Sequence, residues 1–387
     1  MTRTAPRLLS RLALAILLCG APEARAQAPG PAGAAGEPPD PSTVITGYGE
    51  INVNRPSAAR DARADLRRFV FGIHHRFDER TRLVSEVELE HAVASSGDQG
   101  EVALEQAYVE YQLGAAWAAR AGLVLMPMGL LNETHEPTAY YGVERNFVET
   151  AIIPTTWREG ALEILGAFEN GLTLQAGVST SFDLNQWDAA SGDGRESPLG
   201  SVHQEMQLAR AHDVAGFAAL DWRGIPGLQL GGAAFAGRAS QGQPGTPRAT
   251  VVLWDVHARW TPWRLDLAAL YARGSISGTA ALNAPLVGNP TLIPAAFQGW
   301  YLQAAVRAWS QGNLALAPFL RYERFNTGSR YADLGPGLTP PALETEGVLT
   351  TGLSFHLTAG VVLKADVQRF RAATGRNRVD LGVGWSF

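Results

Sequence analysis

The chain has 387 residues, of which 46% are hydrophobic and 18% are charged, and its formal net charge is −5. This hydrophobic fraction excludes an intrinsically disordered chain, and the acidic balance argues against nucleic acid as a partner. A single closed β-architecture can exceed the usual domain length, so the length admits one large β-unit.

The first 26 residues have the pattern of a cleaved secretory signal peptide. Arg3, Arg7 and Arg11 precede an apolar run, and small residues around Ala26 suit a signal peptidase. Residues 27–43 are rich in Ala, Gly and Pro, which predicts a flexible leader. No later stretch approaches the length of a spanning helix. We therefore expect an exported chain that is either soluble or inserted into a membrane as strands.

Apolar and polar residues alternate along most of the remaining chain. From Val379 to Phe387 every second residue is apolar, a period of two that is typical of a strand with one apolar face. Windows of this kind predict sixteen strands, near residues 44–54, 66–78, 81–92, 103–114, 117–126, 158–168, 171–182, 211–223, 227–237, 250–261, 263–274, 297–309, 313–325, 345–357, 360–371 and 376–387. Strands 12 and 13 fit least well, because Trp309 breaks the alternation and Pro318 removes a ladder donor.

The predicted connections alternate between short turns and long links, which is typical of outer-membrane barrels. Trp residues, which prefer a membrane interface, cluster at the short-turn ends; they are Trp117, Trp222, Trp260, Trp263, Trp309 and Trp385. We therefore predict an all-β fold, a sixteen-stranded antiparallel transmembrane β-barrel over residues 44–387 with short periplasmic turns and long external loops. It would lie in the lipid of the bacterial outer membrane. The alternative is a secreted soluble β-protein that buries the apolar face in a core.

In such a barrel the polar face of each strand lines the lumen. Acidic and basic residues of similar number fall on this face, which indicates a wet interior, and sixteen strands leave an aqueous channel unless something plugs it. The long link 127–157 is the candidate pore loop. The predicted constriction and charge filter consists of Glu133, Glu136, Tyr140, Glu144, Arg145 and Glu149 in this loop, with Arg120, Arg158, Glu110 and Glu163 on adjacent walls.

Four short segments in and around the loop resemble the outer-membrane porin family that includes the phosphate-selective porins O and P. They are Arg120-Ala121-Gly122, Met126-Pro127-Met128-Gly129, Val143-Glu144-Arg145 and the stretch from Ile153 to Gly160. The resemblance implies a homotrimeric diffusion channel whose third external loop narrows the pore, and anions such as phosphate as solutes. The chain departs from the phosphate-selective pattern because its one lysine, Lys364, lies outside the loop.

The leading hypothesis is a porin that passes small hydrophilic solutes or ions, is not an enzyme, and needs no cofactor and no metal. A second hypothesis is a barrel-borne lipid hydrolase, for which Ser354 with His356, or His212 with Asp213, would supply parts of a catalytic site. A third is a plugged barrel used for adhesion or assembly. The loop's position in the lumen and the conductance of the protein distinguish these possibilities.

Overall fold

The computed structural model describes residues 42–57 and 62–387. The predicted signal peptide and all but the last two residues of the predicted leader lie outside the described residues. Within them, none of the helices combines the length and the hydropathy needed to cross a bilayer. The first strand begins at Thr43, one residue before the predicted boundary.

Seventeen strands follow one another along the described chain. They are β1 (Thr43–Pro56), β2 (Arg63–Arg76), β3 (Thr81–Glu90), β4 (Val102–Gln112), β5 (Trp117–Leu125), β6 (Arg158–Ala167), β7 (Leu172–Thr180), β8 (Val214–Ile225), β9 (Leu228–Arg238), β10 (Thr250–Trp260), β11 (Leu265–Ile276), β12 (Ala296–Val306), β13 (Trp309–Gln311), β14 (Leu314–Arg330), β15 (Glu346–Thr358), β16 (Val361–Phe370) and β17 (Arg378–Ser386).

The strands form one closed antiparallel sheet in which, apart from β12 and β13, each strand pairs with its neighbours in sequence, and β1 also pairs with β17. Both β12 and the three-residue β13 pair with β14, so together they make one wall of the barrel. Counted by walls, the predicted sixteen-stranded barrel is confirmed. The break before β13 falls where Trp309 disturbs the alternation, and β14 continues five residues beyond its predicted end.

The two faces of the sheet differ as the alternation predicts. On β6, Leu162 and Ile164 are 62% and 50% exposed, whereas Glu163 between them is buried at 3%. Large apolar side chains point outward on the other walls in the same way, and Trp117, Trp260 and Trp309 are among the exposed residues at the short-turn ends. The barrel therefore shows its apolar face to the surroundings and directs the carboxylates of its strands inward.

Short turns close one end of the barrel and long loops extend from the other. A two-residue turn joins β8 to β9 through Pro226 and Gly227, where the φ of +78° at Gly227 suits glycine. The long loops contain the only helical segments of the described chain. These are a π-helix (Val148–Ile152), two α-helical turns (Asp193–Glu196 and Thr279–Asn283) and three 3₁₀ turns (Leu184–Gln186, Ala284–Leu286 and Thr374–Arg376).

Candidate functional site

The segment 126–157, here named the inner loop, leaves the wall after β5 and returns at β6. Asn132 closes its neck: the side-chain amide donates to Met126 O at 2.7 Å and to Trp157 O at 2.8 Å, and its oxygen accepts from Trp157 N at 2.8 Å. A backbone bond of 2.9 Å from Met126 N to Trp157 O lies beside it. The loop therefore starts and ends at one fixed point of the barrel.

Wall carboxylates far from this neck accept hydrogen bonds from the loop backbone. Asp255 on β10 accepts from Gly129 N at 3.0 Å. On β14, Glu323 accepts from Phe147 N at 2.6 Å, and on β16 Asp366 accepts from Val143 N at 2.7 Å. Because β10, β14 and β16 stand across the barrel from β5, these contacts place the inner loop across the lumen.

The loop is braced internally by Glu149. Its carboxylate accepts from Leu130 N at 2.5 Å, Leu131 N at 2.7 Å, Asn146 Nδ2 at 2.7 Å and Tyr301 OH at 3.0 Å. Burial raises the pKa of Glu149, and these hydrogen bonds oppose that shift. A carboxylate with four donors holds backbone in place, so this predicted filter residue fixes the shape of the loop and is not open to the lumen.

Tyr140 and Lys364 meet where the loop approaches β16. The Tyr140 hydroxyl donates to Glu50 at 2.8 Å, and Lys364 Nζ lies 3.7 Å from the centroid of the tyrosine ring. Burial, followed by the neighbouring Glu50 carboxylate, raises the pKa of Tyr140, so the phenol remains a donor. Arg68 donates to the same carboxylate at 2.8 Å. Tyr140, a residue of the predicted filter, therefore contacts Glu50 and Lys364, two residues that the filter prediction does not include.

Another buried group pins the loop to β1 and β4. The Tyr48 hydroxyl lies 2.6 Å from His135 Nε2 and donates to Glu105 at 2.5 Å. Arg68 donates to the His135 carbonyl at 2.5 Å. The sequence prediction missed Glu105 because the register shifts between Glu86 and Val87, which turns a residue of outward parity into the lumen. Across the bulge the outward apolar residues change from even positions, Val102 and Leu104, to odd positions, Val109 and Tyr111, and this change of parity is the signal that could have revealed it.

Predicted wall residues Arg120, Glu110 and Glu163 form one ion-pair cluster. Arg120 lies 2.8 Å from Glu110 and 3.1 Å from Glu163, and Arg82 adds a 2.6 Å contact to Glu110. The register explains the cluster, since Glu110 pairs with Arg120 and Arg120 with Glu163 across β4, β5 and β6. The charges largely neutralise one another, as opposite charges on neighbouring strands do.

The remaining predicted residues make separate contacts. Glu133 is exposed and accepts from Gln175 at 3.1 Å, and Glu136 is half-buried. Glu144 accepts from Asn54 at 3.1 Å and from Asn52 at 3.3 Å. Half-buried Arg145 donates to Thr155 and Thr156, at 2.7 and 3.0 Å, and buried Arg158 lies 3.0 Å from Glu205 in the next long loop. The structure thus does not gather all ten predicted residues at one ring.

One side of the lumen is filled by apolar packing. The Trp157 ring is fully buried, with its centroid 5.1 Å from that of Phe182 and 4.8 Å from that of Phe235. The same cluster, here named the dry half, contains Met126, Met128, Val148, Ile152, Val251 and Leu253. The inner loop therefore packs against β9 and β10 as a protein core does, and water is excluded there.

The opposite side carries polar atoms without protein partners. On the inward faces of β15 and β16, buried Thr350, Ser354, Lys364, Asp366 and Gln368 each have a side-chain atom that forms no hydrogen bond. Register pairs Thr350 with Gln368 and Ser354 with Lys364, so these residues, here named the polar column, run along the barrel axis. Buried polar atoms in native proteins are satisfied by protein or by water, and this arrangement indicates a hydrated strip beside the loop.

The gap between the loop and the walls is narrow near Tyr140. A cavity of about 20 Å³ lies there, bordered by Tyr140, Tyr301, Arg259 and Arg321 among others. This volume holds about one water molecule. In the hydrolase alternative, Ser354 Oγ would have to bond His356, yet it has no hydrogen-bond partner. His212 lies 3.1 Å from Asp213 but its side chain is 68% exposed.

Comparison with known proteins places the fold among porins. None of the protein-family models searched matches the chain. An uncharacterized protein of Aquifex aeolicus (strain VF5) is 29% identical over 336 residues, covering 84% of this chain and 75% of that protein.

Solved structures share the architecture at low sequence identity. Salmonella typhi OmpF in complex with daunomycin aligns with a TM-score of 0.62 and 13% identity, over 89% of this chain and 97% of OmpF. The anion-selective porin from Comamonas acidovorans aligns at 0.54 and 12%, over 89% and 99% of the two chains. In-vitro folded OmpT of Vibrio cholerae, in its trimer form, aligns at 0.52 and 9%, over 89% and 99%. At these identities the likeness is one of fold.

Proposed function

We propose that the chain is an outer-membrane porin through which small hydrophilic solutes or ions diffuse passively. The observation that carries this proposal is the reversal of polarity across a closed barrel wall, with exposed apolar residues outside and buried carboxylates inside. In a soluble protein such an apolar exterior would be exposed to water, which is unfavourable, whereas lipid covers this surface favourably. The fold shared with solved porins supports the same proposal.

The passage, on this proposal, follows the polar column along β15 and β16. The dry half closes the other side, so hydrated solutes have only this strip, where unpartnered polar atoms can replace part of a hydration shell. Glu144 and Arg145 would meet solutes on the long-loop side of the inner loop, and Glu133 and Glu136 on the short-turn side. The Arg120 cluster, whose charges largely neutralise one another, would contribute little net potential on the wall.

We expect the purified chain to give stepwise currents in planar bilayers. Under a salt gradient, Arg145→Glu should shift the reversal potential toward cation preference, because two units of charge change beside the passage. Two units of charge about 8 Å from a permeating ion change its energy by about 1 kcal/mol in water, and screening over about one Debye length leaves enough for roughly a twofold shift in the permeability ratio. Arg238→Glu, at an exposed outward position at the end of β9, is the matched control and should leave the ratio unchanged. An unshifted ratio in Arg145→Glu would contradict the filter assignment.

Anions such as phosphate are the finer proposal for the solute. Lys364 supports it, because this single lysine forms no ion pair within the described part of the chain and lies on the polar column. Phosphate should then reduce the chloride current of the wild-type protein and affect Lys364→Gln less. Equal inhibition of both proteins would remove phosphate from the proposal without touching the channel. A homotrimer is also proposed, supported by the trimer form of a protein with the same fold.

A closed barrel used for adhesion or assembly is the second candidate. It is favoured by the loop's hydrogen bonds to walls on both sides of the lumen and by the small cavity beside Tyr140. The bilayer measurement separates the two candidates, because a closed barrel gives no current steps at any voltage that the membrane withstands.

A further inference from the structure

Four arginines point away from the lumen at the long-loop end of β11, β14 and β16. Arg321 and Glu323 face inward, since Arg321 donates to Tyr141 O and Glu323 accepts from the loop. Successive side chains of a strand point to opposite faces, so Arg324, which follows Glu323, points outward. On β16, Lys364 and Asp366 face the loop, which places Arg369 on the outer surface. The external basic patch is defined as Arg273, Arg324, Arg369 and Arg371.

The pairing of strands brings these guanidinium groups close together. Arg324 pairs with Gly347, and Arg371 N donates to Gly347 O at 2.9 Å, so Arg324 and Arg371 flank one glycine. A Cβ on Gly347 would lie 3.0 Å from Arg371 Cδ, which shows that the Arg371 side chain covers this position. Arg369 pairs with Leu349, two residues further along β15. Adjacent strands are about 4.8 Å apart, so one headgroup can reach several of these side chains.

Aromatic and amide side chains complete the patch. Arg371 Nη1 lies 3.3 Å from Tyr322 OH, and the Tyr322 ring packs against Trp300 with centroids 5.7 Å apart. Arg273 donates to Gln298 at 2.6 Å, and the same amide oxygen accepts from Tyr271 at 3.1 Å. Tyr and Trp side chains prefer the boundary between hydrocarbon and headgroups, so their presence fixes the depth of the arginines.

The charge of the patch is not compensated by protein. Within the described residues none of the four arginines forms an ion pair, and the outward positions of β10 to β16 carry no carboxylate. The nearest long loop contributes Asp333, whose carboxylate is already bonded to Gly335 N and Thr339 Oγ1, and exposed Glu344, which forms no ion pair. Long arginine side chains at this depth extend toward the headgroups.

We propose that the external basic patch binds the phosphate groups of lipids in the leaflet on the long-loop side. Guanidinium groups bond phosphate in a bidentate manner, and the apolar wall below them accommodates the acyl chains of the same lipid. The proposal rests on the proposed function in one respect, namely that lipid covers the outer surface of the barrel. A second copy of the chain is the competing occupant.

Native mass spectrometry of the full chain in detergent micelles tests this site. The micelles are titrated with a diphosphorylated acyl glucosamine disaccharide, with the same lipid lacking phosphate, with phosphatidylcholine, or with inorganic phosphate. We expect the diphosphorylated lipid to bind and the others to bind at least about tenfold more weakly, because each charge-assisted contact adds to affinity. Binding of free phosphate with the same affinity would overturn the assignment to lipid.

The triple variant R324Q/R369Q/R371Q should lose about tenfold in affinity for the diphosphorylated lipid. The matched control R55Q/R67Q/R238Q removes three exposed arginines at the long-loop ends of β1, β2 and β9 and should bind as the wild type does. If the triple variant retains the lipid, the proposal is wrong. A loss of oligomeric mass together with retained lipid would show, in addition, that the patch contacts a second copy of the chain. Should that variant fail to fold, wild-type binding that is insensitive to added salt would overturn the proposal equally. Conductance of the wild type, measured separately, reports on the channel alone.

Discussion

Single side chains hold the inner loop by satisfying backbone groups that would otherwise be buried without partners. Asn132 is 5% exposed and uses both ends of its amide on the backbone of Met126 and Trp157. Glu323, Asp255 and Asp366 act in the same way from the walls. Their importance follows from the cost of an unpaired buried donor, about 1 to 3 kcal/mol, which exceeds the net gain from an average hydrogen bond.

Asn132→Ala should therefore destabilise the protein by about 2 kcal/mol or more, because it leaves Trp157 N without an acceptor inside the barrel. The temperature at which the folded barrel converts to the slower unfolded band in detergent gels measures the change. Asn289→Ala, at an exposed asparagine that bonds Leu286 O at 3.0 Å, is the control and should leave that temperature nearly unchanged. Equal losses in the two variants would show that the neck does not carry the loop.

At the scale of elements, the inner loop behaves as a second core inside the sheet. Its apolar residues pack against β9 and β10, while Tyr140 and Val143 face the hydrated walls. The loop is thus fixed on one side by dispersion and burial, and on the other by hydrogen bonds to carboxylates. We expect the apolar side to dominate stability, because large aromatic side chains bury the most surface.

Trp157→Ala should cost about 3 to 5 kcal/mol, as deletion of a fully buried aromatic side chain does. Chemical unfolding in micelles provides the measurement. Trp263→Ala is the control, since that ring is 92% exposed and contacts little of the core. A loss below about 1 kcal/mol for Trp157→Ala would mean that the dry half is loosely packed.

The strands could be predicted from the sequence because each exposes one face to a different environment, and a period of two records this directly. Arg120, Glu110 and Glu163 were assigned to the wall for the same reason. Their meeting in one cluster could not be predicted, because it depends on the register of β4, β5 and β6. The prediction misses Glu105 because of a bulge. It also misses the bracing role of Glu149, because two of its four donors are loop backbone amides and the loop has no period from which their positions could be predicted.

For the whole molecule, closure between the first and last strands decides whether a barrel exists. Gly47 N donates to Phe387 O at 3.0 Å and Phe387 N to Gly47 O at 2.8 Å, so the seam is a regular antiparallel pair. Near this seam Gly49 leaves room for an aromatic ring: a Cβ there would lie 2.5 Å from Trp385 Cζ2 and 2.9 Å from Arg68 O. Closure of the sheet therefore requires a residue without a side chain at this position.

Gly49→Val should lower the yield of the folded barrel and its unfolding temperature, because the added side chain collides with both neighbours of β1. Refolding into detergent followed by gel mobility measures both effects. Gly114→Val, in a turn where a Cβ would meet no atom within 4 Å, is the control. If Gly49→Val refolds as fully as the control, the seam tolerates displacement and does not limit closure.

The single lysine on the polar column allows the width of the opening that leads to it to be measured. Apart from the chain terminus, Lys364 supplies the protein's sole primary amine. An amine-specific acylating reagent can therefore modify only one side chain, and a single mass increase reports that modification. In a series of such reagents of increasing diameter, the largest one that still acylates Lys364 measures the width of the opening. Applying the series from each face of the membrane gives that width separately for the two entrances.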